Sequence, residues 1–169
     1  MGIFRRRNYR GYIGIYLAIL VITLSAKSVT AKVITRFDTN MKEVALTFDA
    51  CETKTASYFD DGILNYLIDN KIPATFFISG KFAIRNGGKI KEISKYDFFE
   101  MENHSFSHVQ HMEKLPKKII LEEISKTDAL LKGLTGKPTK FFRFPGGNYD
   151  QNAVNILEEL GFKVVHWSF

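Results

Sequence analysis

From residue 42 onward, the apolar positions of the chain follow two alternating spacings. Short runs rich in aromatic and β-branched residues are typical of strands, and we predict strands over residues 44–48, 74–79, 98–102, 140–144 and 163–168. Segments with apolar residues three or four positions apart predict helices over residues 61–70, 116–132 and 150–160. This alternation favours an α/β fold with a parallel sheet, either open or closed into a barrel.

Polar residues stand at the ends of the first four predicted strands. They are Asp49, Ser79 with Gly80, Asn103 with His104, and Arg143 with Pro145–Gly147. In parallel α/β folds the carboxyl ends of the strands point into one crevice or barrel mouth. We therefore expect these side chains to converge on one rim of the domain.

Two histidines, His104 and His108, stand four residues apart after the third strand. If the segment begins a helix, both imidazoles lie on one face, and neutral imidazole is a good zinc ligand. Histidine pairs also arise by chance, and the nearby His111 shows that the region is rich in histidine. The pair alone therefore leaves two interpretations open, a metal site and two ordinary surface imidazoles.

Composition places the chain among globular proteins of one domain. Of its 169 residues, 45% are hydrophobic and 15 are Phe, which is enough apolar material for a sizeable core. The net charge of +6 is concentrated in residues 1–31, where every charged side chain is basic. Because the remainder is nearly neutral, the main argument for nucleic-acid binding is lost.

The N-terminal segment has the pattern of an export signal. A basic start, a short apolar run over residues 12–24 and a small-x-small site at residues 29–31 predict a signal peptide that is cleaved after Ala31. The run is shorter than the roughly 20 apolar residues that span a membrane, and an uncleaved N-terminal anchor is the alternative. In both cases we expect the domain to be extracytoplasmic: periplasmic, secreted or membrane-anchored. The single cysteine, Cys51, cannot form an internal disulfide there.

Three segments at the predicted strand ends stand in a fixed order. They are residues 47–51 (TFDAC), 104–108 (HSFSH) and 143–147 (RFPGG). Together they resemble the motifs T-F-D-D-G, H-[ST]-x-x-H and R-x-P-x-G of the NodB-homology polysaccharide deacetylases, and residues 72–77 (IPATFF) are similar to the second strand of that family. The resemblance implies that residues 32–169 form a distorted (β/α) barrel. It also implies hydrolysis of N-acetyl or O-acetyl groups on a carbohydrate polymer. The expected extracytoplasmic location gives a slight preference for cell-wall glycan such as peptidoglycan.

The resemblance gives the matched residues roles in a metal-dependent reaction. His104 and His108 would bind a divalent metal, zinc by preference, with cobalt or nickel as alternatives. Asp49 would take a proton from a metal-activated water, and Arg143 would keep Asp49 ionised and oriented.

The third motif would bind the substrate through Pro145, Gly146 and Gly147, with a backbone N–H near Gly146 facing the oxyanion. Structural alternatives stay open for each strand end: a plain turn for this motif, a loop cap for Asp49 and a surface ion pair for Arg143. Cys51 is interpreted as a small buried residue rather than a nucleophile.

A first departure from the family pattern concerns the metal. The second aspartate of T-F-D-D is the family's third ligand, and Ala50 stands at this position with a methyl group that cannot coordinate a cation. Asp60, Asp61 or Glu52 is a candidate replacement, which would complete a set of two histidines and one carboxylate. Asp60 and Asp61 also suit the N-terminus of a helix.

A second departure concerns the C-terminus. The sequence ends about where the family's next motif begins, and no histidine follows His166 to serve as the family's general acid. We therefore expect a domain that is incomplete at its C-terminus, with an exposed edge at the strand near Val164. Three hypotheses follow: a carbohydrate deacetylase or the N-terminal part of one, an inactive relative that binds glycan or metal, and a structural envelope domain. The expected partner is a carbohydrate polymer, without nucleic acid, and with membrane contact only through an uncleaved N-terminal segment.

Overall fold

Five parallel strands form one sheet in which spatial order follows chain order. A computed structural model describes residues 31–168 and has β1 at Thr47–Ala50, β2 at Ala74–Ile78, β3 at Phe99–Asn103, β4 at Phe141–Phe142 and β5 at Lys163–Val164. Each strand pairs in parallel with the next. This is the strand order of a (β/α) barrel wall, and it confirms the predicted fold class.

Within residues 31–168, four α-helices connect and cover the strands. They are α1 at Asp61–Asp69, α2 at Gly80–Ile93, α3 at Lys117–Thr135 and α4 at Gln151–Glu159. Asp60, Ser79 and Asp150 each accept a hydrogen bond from a backbone N–H in the first turn of α1, α2 and α4. Such caps satisfy donors that a helix start leaves unpaired, and they confirm the prediction that Asp60 suits a helix N-terminus.

Some element bounds differ from the sequence prediction. β1 begins at Thr47 rather than at residue 44, and the apolar side chain of Val44 is 86% exposed. The last two strands have only two residues each. The sequence pattern did not predict α2, because Gly87 and Gly88 interrupt it, and the helix is kinked at Asn86.

Two apolar clusters lie between the sheet and the helices. One joins β1, β2 and β3 to α1 and α2 and contains Phe48, Phe76 and Phe99, with ring centroids 5.3 Å apart in each neighbouring pair. The other joins β4 and β5 to α3 and α4. Since side chains alternate along a strand, packing these rings outward turns Thr47 and Asp49 toward the inner face of the sheet.

The outer edge of β5 is covered by the start of the described chain. Ile34 forms a parallel bridge with Val165. Its N–H donates to the carbonyl of Val164 at 2.8 Å, and its carbonyl accepts from the N–H of His166 at 2.9 Å. Val164 itself is only 3% exposed. The expectation of an exposed edge near Val164 is therefore wrong, because residues N-terminal to β1 pair with this edge.

The predicted signal peptide or anchor lies outside the described residues, apart from Ala31 at its end. Ala31 is buried in the cluster of α3, α4, β4 and β5, and its carbonyl accepts a hydrogen bond from Gln151 at 3.0 Å. Within residues 31–168, none of the helices combines the length and the apolar character needed to cross a membrane.

Candidate active site

The carboxylate of Asp49, on β1, is held by a buried arginine that follows β4. Nη1 of Arg143 donates to Oδ1 of Asp49 at 2.7 Å and to Oγ1 of Thr47 at 3.1 Å. Arg143 is 3% exposed, and its guanidinium lies 4.0 Å from the ring centroid of Phe77 on β2. The alternative that Arg143 only forms an ion pair on the surface is therefore wrong, because its side chain is buried. Three strands together fix the orientation of one carboxylate.

His104, just after β3, is buried next to this ion pair. It is 1% exposed, and its Nδ1 lies 2.8 Å from the carbonyl oxygen of Arg143. A carbonyl only accepts, so Nδ1 carries the proton and Nε2 keeps a lone pair, 3.8 Å from Oδ2 of Asp49. Burial lowers the pKa of His104 to about 4. The ring is therefore neutral at pH 7, which is the form that binds metals.

His108 reaches the site from a loop. Residues 104–108 are not helical, and Ser105 and His108 have φ of 62° and 56°. Both histidines would share a helix face only if this segment began a helix, and it does not. The loop turns back, so that the ring centroids of His104 and His108 lie 4.9 Å apart. Nδ1 of His108 is buried without a hydrogen-bond partner among the described residues, and burial lowers the pKa of this ring as well.

The histidine pair fits a divalent metal as two of its ligands. Neutral imidazoles suit zinc, cobalt and nickel, and an orphaned buried ring nitrogen is a group that a metal would satisfy. Among residues 31–168, however, the structure has no group of three or more His, Cys, Asp or Glu side chains arranged to hold a metal ion. Ala50 ends β1 beside Asp49 and contributes only a methyl group. The described chain thus supplies two imidazoles rather than a complete set of three ligands.

The three carboxylates considered as replacement ligands have other partners. Glu52 forms a two-bond ion pair with Arg85. Asp60 caps α1, and Asp61 lies 3.4 Å from Nζ of Lys89. The structure does not bring any of them to the histidine pair.

The third motif, Pro145–Gly147, forms a tight turn at the site. Gly146 and Gly147 have φ of 63° and 72°, a region that glycine adopts without steric cost. A Cβ on Gly147 would lie 2.6 Å from Cη2 of Trp167, whose ring is 6.0 Å from the guanidinium of Arg143. The turn geometry is confirmed, and the role of Pro145, Gly146 and Gly147 in substrate binding stays a prediction.

A cavity of about 300 Å³ adjoins Asp49, with Ala50, Cys51, Tyr58 and Asp60 in its lining. Burial, with a smaller contribution from the charge of Asp49, raises the pKa of the Cys51 thiol. The thiol is therefore protonated at neutral pH, which agrees with the interpretation that Cys51 is not a nucleophile, although the residue is half-buried rather than buried. A side chain longer than a methyl group at position 50 would have room in this cavity.

Sequence reasoning missed three residues that surround Arg143: Thr47, Phe77 and Trp167. The signal for two of them was present, because Phe77 is the register partner of Asp49 and Thr47 precedes Asp49 by two positions on the same strand face. Trp167 lies within the strand predicted over residues 163–168, but β5 ends at Val164, so strand alternation does not specify the direction of its side chain.

Comparison with known proteins extends these observations. A family model described as polysaccharide deacetylase matches residues 36–165. The chain belongs to the polysaccharide deacetylase family. It is 33% identical over 129 residues to a peptidoglycan-N-acetylglucosamine deacetylase of Bacillus cereus. The matched residues cover 76% of this chain and 45% of that relative. The resemblance seen in the sequence is confirmed.

Solved structures of the family have the same fold. A family 4 carbohydrate esterase pseudoenzyme from Bacillus anthracis has a TM-score of 0.71 and 26% identity, covering 80% of this chain and 47% of that protein. A mutant of the same pseudoenzyme, described as having restored enzymatic activity, has a TM-score of 0.70 and 28% identity, covering 80% and 48%. This member of the polysaccharide deacetylase family thus spans about half the length of these relatives.

Proposed function

We propose that the chain carries a metal-dependent hydrolase site that removes N-acetyl or O-acetyl groups from a carbohydrate polymer. The observation that carries this proposal is the ion pair between the buried Arg143 and the accessible carboxylate of Asp49, which leaves Oδ2 of Asp49 3.8 Å from Nε2 of His104. The name of the Bacillus cereus relative and the predicted export signal favour cell-wall glycan as the substrate.

The residues of the site have separate roles in this proposal. His104 and His108 would hold the divalent metal, zinc by preference and cobalt or nickel as alternatives. When bound, the metal supplies polarisation of the acetyl carbonyl and a water of lowered pKa. Asp49 accepts the proton of the attacking water at Oδ2, because Oδ1 is occupied by Arg143. Arg143 orients the carboxylate from inside the sheet.

The acetyl group is proposed to lie against the Pro145–Gly147 turn. Its two left-handed glycines bring backbone close to the site, and a backbone N–H near Gly146 would donate to the developing oxyanion.

A second candidate function is binding of glycan or metal without turnover. It is favoured by Ala50 and by the lack of a third protein ligand among residues 31–168. The relative from Bacillus anthracis is itself described as a pseudoenzyme. In this case the histidine pair and Asp49 would retain the geometry of an active site that no longer completes the reaction.

Substitution of Ala50 distinguishes the two candidates. Acetate release from N-acetylglucosamine oligomers is measured with added zinc or cobalt for the full chain and for its Ala50→Asp, Ala50→Asn and His104→Ala/His108→Ala variants. We expect Ala50→Asp to tighten metal binding by about tenfold or more, because it adds an anionic ligand, whereas Ala50→Asn controls for side-chain volume.

Each pattern of results selects one function. Metal-dependent release by the unmodified chain, lost in the double histidine variant, supports the deacetylase. A silent wild type that binds metal, together with release by Ala50→Asp, supports binding without turnover. Absence of acetate release, of metal binding and of binding to the oligomers in all variants contradicts both candidates.

A further inference from the structure

The loop of residues 104–108, called the histidine loop below, has a conformation that its own residues do not favour. Ser105 and His108 both adopt positive φ although neither is glycine. In the left-handed region the Cβ of an L-residue approaches its own backbone, so such residues persist only where surrounding contacts hold them. The structure shows these contacts on two sides of the loop.

On one side, the N-terminus of α2 binds the loop carbonyls. The N–H of Gly80 donates to the carbonyl of Ser105 at 2.9 Å, and the N–H of Lys81 donates to that of Phe106 at 3.0 Å. A Cβ on Gly80 would lie 2.2 Å from the ring of Phe106, so the close approach requires glycine. The loop thereby pairs donors that a helix start leaves free.

On the other side, Glu123 of α3 binds the loop donors. Its Oε2 accepts from the N–H of Phe106 at 3.0 Å and from the N–H of Ser107 at 2.8 Å. Its Oε1 accepts from the hydroxyl of Ser107 at 2.5 Å. Three donors thus converge on two oxygens, an arrangement that a carboxylate accommodates because both of its oxygens accept.

Two further amides of the loop, those of Ser105 and His108, are bonded to side chains of the same segment. The N–H of Ser105 donates to Oδ1 of Asn103 at 3.0 Å, and the N–H of His108 donates to Oγ of Ser105 at 3.2 Å. Asn103 is in turn anchored to α3, since its Nδ2 donates to the carbonyl of Ile124 at 2.9 Å. Of the four amides from Ser105 to His108, two therefore depend on Glu123.

We infer that Glu123 is a positioning residue, which fixes the histidine loop from α3 and so sets His108 beside His104. The inference deepens the proposed function, since it assigns a determinant of the same metal site. The placement of the two rings can be measured on the protein without metal, so this part of the inference does not depend on metal binding. Glu123 acts through the loop and makes no contact of its own with the proposed substrate.

The test uses Glu123→Ala and Glu123→Gln in the full chain, with Glu122→Ala as the matched control. Glu122 is the neighbouring carboxylate of α3, with a side chain 44% exposed and 3.7 Å from Nζ of Lys126. Amide hydrogen exchange at Phe106 and Ser107 and the nuclear Overhauser contact between the two imidazoles are measured by NMR without metal. Zinc or cobalt affinity is measured by titration.

We expect Glu123→Ala to speed exchange at both amides by about tenfold or more, since their acceptor is lost. It should also weaken the ring-to-ring contact and lower metal affinity by about tenfold or more, as loss of supporting hydrogen bonds does at metal sites. Glu123→Gln keeps one accepting oxygen and should recover part of each effect. Glu122→Ala should leave all three readouts at the wild-type values.

Unchanged metal affinity in Glu123→Ala overturns the inference, even where exchange is faster, because Glu123 would then stabilise the loop without placing His108. If the wild type binds no metal, the proposed function fails without affecting the inference about Glu123. The nuclear Overhauser contact between the two rings then tests the inference: its loss in Glu123→Ala supports the inference, and its retention overturns it. If Glu123→Ala does not fold, the same comparisons are made on Glu123→Gln.

Discussion

The two histidines of the site are held in opposite ways. His104 follows β3, is 1% exposed, and is bonded through Nδ1 to the carbonyl of Arg143, so the sheet itself fixes its ring. His108 lies on a loop with positive φ, and its Nδ1 has no hydrogen-bond partner among the described residues. Its position depends on contacts with α2 and α3. One of the two proposed metal ligands is thus part of the core, whereas the other is held by a loop. Substitutions on the two sides should therefore separate effects on stability from effects on metal binding.

The largest effect should come from removing the arginine on the sheet side. Arg143→Ala is expected to lower the free energy of unfolding by about 3 kcal/mol, because Asp49 and Thr47 lose a buried donor and Phe77 loses its stacked cation. Chemical denaturation of the full chain measures this. The control is Arg85→Ala, which breaks the solvent-exposed pair with Glu52 and should leave the midpoint unchanged. Equal midpoints for Arg143→Ala and Arg85→Ala would show that the contacts of Arg143 around His104 do not stabilise the fold.

The histidines test the comparison directly. His104→Ala should cost about 2 kcal/mol of stability, because it leaves a cavity and a carbonyl without its donor, whereas His108→Ala should cost less than about 1 kcal/mol. Both variants should lose measurable zinc binding in calorimetric titration. Similar stability losses for the two variants would remove the distinction between core and loop ligands.

The smallest effect concerns the contact between α2 and the loop. Gly80→Ala should cost about 1 kcal/mol and weaken zinc binding, since the added methyl group would lie 2.2 Å from Phe106 and displace the loop. Gly88→Ala in the same helix has open space around its Cβ and should gain about 0.5–1 kcal/mol. Thermal unfolding and zinc titration of the pair check both statements. A Gly80→Ala protein with wild-type zinc affinity would show that the loop tolerates displacement.

The sheet side of the site was predictable from sequence, and the loop side was not. β2 and β3 were predicted within one residue because their aromatic runs are buried, and parallel strand ends necessarily meet on one rim. β1 was placed too early because the apolar residues before it, such as Val44, are exposed.

The position of His108 beside His104 could not be predicted from the local sequence. The spacing of the two histidines suits a helix, but hydrogen bonds that the loop donates to Glu123 and accepts from α2 hold it in a conformation with positive φ instead. Glu123 and the start of α2 are distant from the loop in sequence, so neither the periodicity nor the spacing of the loop residues predicts these contacts. Trp167 was missed for a related reason, since the close approach of Gly147 determines its position.

The bridge between Ile34 and Val165 bears on the order in which the sheet folds. Every strand pair in the described sheet joins neighbours in chain order, so each closure spans a single connection that contains a helix. The bridge instead joins positions near opposite ends of the described range and carries the entropy cost of a much longer closure. We therefore expect β1 to β5 to assemble by successive local steps, with the amides of Ile34 and His166 gaining protection last.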